Sequence, residues 1–128
     1  MNIKNLMVLN SVVAIIFGVL FVIIPGETLS WYGVEAGMQI NLMSQLFGAA
    51  LIGIGLVTWN AKNSDDSIAR KAIIFSLFIA DLIGFIVSLI AQLNNVVNAL
   101  GWTTVIIYIL LAIGFGYCHF SKSSDKSE

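Results

Sequence analysis

Apolar runs and their interruptions divide the chain into four long stretches. The first extends from about Asn5 to Ile24 and stops at Pro25-Gly26, a strong breaker pair. The others cover about 41–60, 72–91 and 102–120. Each holds the ~20 residues that a helix needs to cross a ~30 Å hydrocarbon core. The period-two alternation of barrel strands is missing from all of them, so helices are the predicted spanning form. The expected fold is therefore all-α, a membrane protein with four transmembrane helices in a compact bundle over 1–120. The polar residues 121–128 are expected to form a disordered tail. Between the first two runs, the stretch from Gly26 to Val34 has the length of a brief interfacial helix. Trp31, Tyr32 and Trp102 would mark one membrane surface, and Trp59 the other. The segment from Asn63 to Ser67 offers capping groups for the third long helix, with Asp66 and Arg70 at i,i+4 spacing.

Composition sharpens the class. Hydrophobic residues make up 59% of the chain, charged ones only 10%, and the mean hydropathy is +0.96. A soluble domain carries about 25% charged residues, so the lipid bilayer is the expected environment. With a net charge of −1 and no basic run, nucleic acid is excluded as a partner. A lone Cys118 cannot form an internal disulfide, and a lone His119 cannot build a metal or bis-histidine haem site. Neither metal nor cofactor is expected. Lys4 ahead of the apolar run Val12 to Ile24 has the look of a signal peptide. The long run and the lack of an Ala-x-Ala site instead indicate a retained span.

Charge also orients the chain. The N-terminus, the loop 61–71 and the tail hold Lys4, Lys62, Arg70, Lys71, Lys122 and Lys126, which are all the basic residues. The two opposite loops hold none, only Glu27 and Glu35. By the positive-inside rule both termini are expected in the cytoplasm, in a bacterial cytoplasmic (inner) membrane.

Each long run carries small residues four apart: Ala14/Gly18, Ala49/Gly53, Ala80/Gly84 and Ala112/Gly116. Such pairs let a neighbouring helix backbone approach closely and are the predicted helix-packing positions, within one chain or between copies. Polar residues form stripes as well. Asp81, Gly84, Ser88, Gln92 and Asn95 share one face of the third long helix. Ser44, Gly48, Leu51, Gly55 and Thr58 line up on the second, and Thr104, Tyr108 and Ala112 on the fourth.

Asp81 stands out. It lies ten residues from Lys71, roughly 15 Å along a helix, which is half of a ~30 Å hydrocarbon core. On insertion scales a central Asp costs about 2.5–3.5 kcal/mol, while each Leu, Ile, Phe or Val contributes roughly −0.3 to −0.6 kcal/mol. The thirteen such residues between Ala72 and Ile90 therefore insert the helix despite Asp81. An ionisable group at that depth is a functional candidate. Tyr108 is its expected hydrogen-bond partner, with Asn10 a second. Ser88 and Gln92 are expected to extend a polar path toward the outer side. One role for Asp81 is a hydrogen bond that fixes helix register; another is a protonatable transport site.

The segments Gln45 to Trp59, Ser67 to Ile73 and Gln92 to Trp102, with Pro25 and the Tyr32-Gly33-Val34 turn, resemble a group of small four-helix bacterial inner-membrane proteins of unknown function. That resemblance implies topology and location but no activity. No nucleophile–base pair or metal set is visible, so no enzymatic activity is expected. The leading expectation is a protein acting through helix–helix association, as a homo-oligomer or as an accessory to another membrane protein. The alternative is a minimal proton-linked transporter or channel centred on Asp81.

Overall fold

The structure, a computed structural model, describes residues 2–65 and 67–121. Those residues form five helices and no strand: α1 (Ile3–Ile23), α2 (Pro25–Trp31), α3 (Met38–Ala61), α4 (Ile68–Leu93) and α5 (Gly101–Phe120). All but α2 are long and apolar enough to cross a membrane. The brief helix expected after Pro25 is α2.

Local chemistry sets the boundaries. The Asn2 side chain caps α1 by accepting from the Lys4 amide at 2.8 Å, and Ser67 caps α4 by accepting from the Arg70 amide at 3.2 Å. Asp66, the expected partner of Arg70, lies outside the described residues, as does the tail beyond Ser121. The Arg70 guanidinium donates instead to the Ser64 carbonyl at 3.0 Å. Pro25 has no N–H to continue α1 but suits the first turn of a new helix, so the chain restarts there as α2. The fully buried Thr28 hydroxyl covers the Ile24 carbonyl at 2.7 Å and the Leu20 carbonyl at 3.2 Å across this break. Helices α2 and α4 end alike, with a left-handed residue just past the cap: Gly33 at φ 76° and Asn95 at φ 58°. The amides of Val34 and Val96 then reach back to the carbonyls of Leu29 and Ala91.

Two antiparallel hairpins result. In the first, α1 lies on α3 almost backbone to backbone. A Cβ on Gly18 would come within 2.8 Å of the Gly48 carbonyl oxygen, and one on Gly48 within 2.6 Å of the Gly18 carbonyl oxygen. Gly55 faces the Ser11 carbonyl, and the Gln45 amide donates to the Val22 carbonyl at 3.1 Å. In the second hairpin, α4 and α5 pack through glycines that receive aromatic rings. Gly84 takes the ring of Tyr108, and Gly116 takes that of Phe78. The hairpins meet along α1 and α5, whereas α3 and α4 share no substantial interface. The end that carries the described termini is filled by an apolar cluster including Met7, Ile74, Leu77, Leu111, Phe115 and Cys118.

The small-residue pairs are not placed alike. Ala14, Gly18, Gly84, Ala112 and Gly116 sit in helix contacts within the chain or close beside them. Ala49 and Gly53 do not: both are exposed, and a Cβ on Gly53 would meet nothing within 4 Å. The inward face of α3 is the stripe Gly48, Gly55 and Thr58. At 3.6 residues per turn, Ala49 is rotated about 100° away from Gly48. Ala80 is also exposed, at the edge of α4 that faces α3 across a gap.

The Gly18–Gly48 contact predicts that Gly48→Leu destabilises the protein by ~1–3 kcal/mol, the usual range for overpacking. Gly53→Leu should fall within about 0.5 kcal/mol of wild type. Unfolding titrations in mixed micelles read both, and equal losses would refute the assigned face of α3.

Candidate functional site

The gap between the hairpins is a cavity of about 340 Å³. Helix α1 supplies Asn10, Val13, Ala14 and Phe17 to its wall. Phe47, Leu51 and Ile54 come from α3, Leu77, Ala80 and Asp81 from α4, and Thr104, Ile107, Tyr108 and Leu111 from α5. Leu29, Tyr32, Val34 and Val97 close the end away from the termini. At the other end the wall residues Leu77 and Leu111 belong to the apolar cluster, which seals it. Apolar side chains dominate the wall, and among the described residues no Lys, Arg or His contributes to it.

Asp81 is one of the few polar groups in that wall and, among the described residues, its only carboxyl group. The residue is only 7% exposed, and its Oδ2 has no hydrogen-bond partner among the described residues. That is costly: a buried polar atom left unpaired forfeits about 1–3 kcal/mol, and more if it is charged. The helix geometry explains the position. Gly84, three residues on, is bare, so the Tyr108 ring lies flat against α4 one turn beyond Asp81. A side chain at 84 would push the ring away.

The expected partners behave differently from the sequence reading. Tyr108 shares the cavity wall with Asp81, but among the described residues no hydrogen bond joins the two. Ring packing on Gly84 holds Tyr108 in place instead. Asn10 also lines the cavity, yet its amide donates to the Thr58 hydroxyl at 3.1 Å, tying α1 to α3. Thr58 in turn donates to the Ile54 carbonyl at 2.8 Å. Asn10 is thus committed to the first hairpin, and the register-fixing bond expected at Asp81 is not formed among the described residues.

The expected outward polar path is not formed either. The Ser88 hydroxyl donates to the Phe85 carbonyl on its own helix at 3.2 Å, and Ser88 stands outside the cavity wall. Gln92 is buried against Gly101, where a Cβ would collide with its amide oxygen, and its nitrogen donates to the Asn98 carbonyl at 3.1 Å. It braces the α4–α5 turn. The part of the α4 stripe through Gly84 and Gln92 faces α5, because these residues meet Tyr108 and Gly101 in antiparallel register.

A strap not anticipated from the sequence closes the far end. The Asn98 backbone amide donates to the Tyr32 carbonyl at 2.8 Å, and its side-chain amide to the Trp31 carbonyl at 3.1 Å. The Thr104 hydroxyl approaches the Tyr32 hydroxyl at 3.4 Å. These contacts join the α4–α5 turn to α2, and hence one hairpin to the other. Asn98 gave no signal because its partners are backbone carbonyls, which any residue carries.

His119 and Cys118 stand away from the cavity. His119 packs between the rings of Phe75 and Phe120, at centroid distances of 5.0 and 4.8 Å, and Cys118 is buried in the apolar cluster. Among the described residues no cluster of three or more His, Cys, Asp or Glu could hold a metal ion.

No protein-family model, no curated protein and no solved structure matches the chain.

The Asn10–Thr58 bond leads to a measurable coupling. A double-mutant cycle of Asn10→Leu and Thr58→Val, read by unfolding in mixed micelles, should give about 0.6 kcal/mol and no more than ~1.7 kcal/mol, the range for interhelical hydrogen bonds in a membrane. A cycle built on Asp81→Leu and Tyr108→Phe should give a coupling near zero.

Proposed function

We propose that this is a polytopic protein of a bacterial cytoplasmic membrane, with both termini in the cytoplasm, that works as a minimal proton-linked transporter centred on Asp81. The observation that carries this reading is a 340 Å³ cavity whose wall includes a buried carboxylate oxygen with no partner. Asn10, on the same wall, instead spends its side-chain amide on Thr58. Left uncommitted in a ligand-sized space, the Asp81 carboxyl group can exchange a proton for a contact with a guest. Insertion energetics point the same way, since Leu at this position would favour the membrane by about 3 kcal/mol or more.

The hairpin architecture supplies the moving parts. Each hairpin is tightly locked through glycines, while the two meet along α1 and α5, at the apolar cluster and at the Asn98 strap. Rocking one rigid half against the other around a fixed central site is a recognised form of alternating access. No catalytic role is proposed. The distribution of basic residues supports the orientation, and a fluorescent protein fused to the C-terminus should fold and fluoresce in the cytoplasm.

Association with a second copy or with another membrane protein is a second reading, and one observation favours it. The exposed Ala49 and Gly53 present a flat strip on the outside of α3, suited to close approach by another helix. The two roles are compatible.

Asp81→Asn, nearly identical in size, should slow the decay of a pH gradient imposed across proteoliposomes at least tenfold. Tyr108→Phe should retain most of the wild-type rate, because Tyr108 makes no hydrogen bond to Asp81. Equal decay with wild type and Asp81→Asn would remove the proton-linked reading.

A further inference from the structure

We propose that the cavity takes a membrane-dissolved amphiphilic amine, admitted sideways between α3 and α4, with its ammonium group on Asp81 and its apolar body against the helix walls. This assignment rests on the reading of Asp81 as a ligand site and names the ligand class and its route.

The route follows from which walls are closed. One end is sealed by the apolar cluster that contains Leu77 and Leu111, and the other is covered by α2 and the strapped α4–α5 turn. Along the sides, α1 packs on α3, α4 packs on α5, and α1 meets α5. The fourth side has no substantial interface. There Phe47 and Ile54 of α3 and Ala80 of α4 line the cavity and are exposed, Phe47 at 46% and Ile54 at 39%. All three are apolar and lie in helices that are long and apolar enough to span a membrane, so the gap opens onto the hydrocarbon region. A guest using it must dissolve in lipid first.

The ligand class follows from the wall chemistry. A volume of 340 Å³ is at the lower end of ordinary small-molecule pockets, so the guest is compact. Apolar side chains on every helix call for an apolar body. The polar requirement is set by Asp81: an acceptor with an unpaired buried oxygen, and no cation among the described wall residues to satisfy it. An ammonium group supplies both the missing donor and the missing charge. A charge-assisted pairing of this kind is stronger than a neutral hydrogen bond. An anionic guest would meet like charge at the same point. An uncharged alcohol would supply the donor but not the charge. A lipid acyl chain would fill the space and leave Asp81 as it is.

Equilibrium binding of tritiated 1-adamantylamine to the full chain in lipid nanodiscs tests the assignment. The expected result is saturable binding that Asp81→Asn weakens at least tenfold, with 1-adamantanol competing at least tenfold less well than unlabelled amine. Ala80→Phe, which narrows the α3–α4 gap and keeps the Asp81 carboxyl group, should slow association and weaken binding. That substitution carries the test if Asp81→Asn fails to fold, and the amine–alcohol comparison needs only the wild-type protein. The proposal is overturned if amine and alcohol compete equally, if both variants bind as wild type does, or if no saturable binding is found. Asp81-dependent proton flux without amine binding would overturn this assignment and leave proton-linked transport standing. Asp81-dependent amine binding without such flux would do the reverse.

Discussion

Backbone-to-backbone approach at glycine is the constraint on which the rest of this structure depends. Gly18 and Gly48 face each other so closely that either Cβ would collide with the other's carbonyl oxygen, and Gly84 and Gly116 admit whole aromatic rings. In lipid the hydrophobic effect does not drive helices together, so contact of this kind must do so. Because it is concentrated within α1–α3 and within α4–α5, the chain settles as two dense pairs. Where the pairs face one another, larger side chains such as Phe17, Phe47 and Leu51 stand along a space they do not fill. The cavity is therefore what remains after the glycines have placed the helices.

Much of the architecture was legible in the chain. Four long apolar runs separated by polar or breaker residues leave few alternatives to four long helices; Pro25 marked the end of the first run and the segment ending at Ser67 the start of the third, through chemistry that is local and well understood. Helix faces were harder to read. On α3 two patterns competed, the Ala49/Gly53 pair and the stripe through Gly48, Gly55 and Thr58, and only the second turns inward. Spacing shows which residues share a face but not which face meets a partner. A uniformly greasy helix lacks the polar side that would settle the matter in a soluble protein.

The site divides in the same way. Asp81 was evident from its isolation, and the structure places Tyr108 and Asn10 beside the same cavity. What one-dimensional reasoning could not supply was who bonds with whom. Asn10 turned out to be bound to Thr58 and the Gln92 nitrogen to the α4–α5 turn, while Asp81 and Gln92 each kept an oxygen without a partner among the described residues. Such allegiances depend on the rotation of each helix about its axis. A shift of one residue changes that rotation by about 100° and would exchange every partner.

The strap at Asn98 has a bearing on how this sequence can drift. Its two bonds end on the backbone carbonyls of Trp31 and Tyr32, while the Tyr32 hydroxyl meets Thr104 separately. Descendants of this chain could therefore exchange the Trp31 side chain with little consequence for closure, while a change at Asn98 would loosen it. A fold joined in this manner would diverge quickly at positions that offer only a carbonyl and slowly at a handful of scattered glycines and amides.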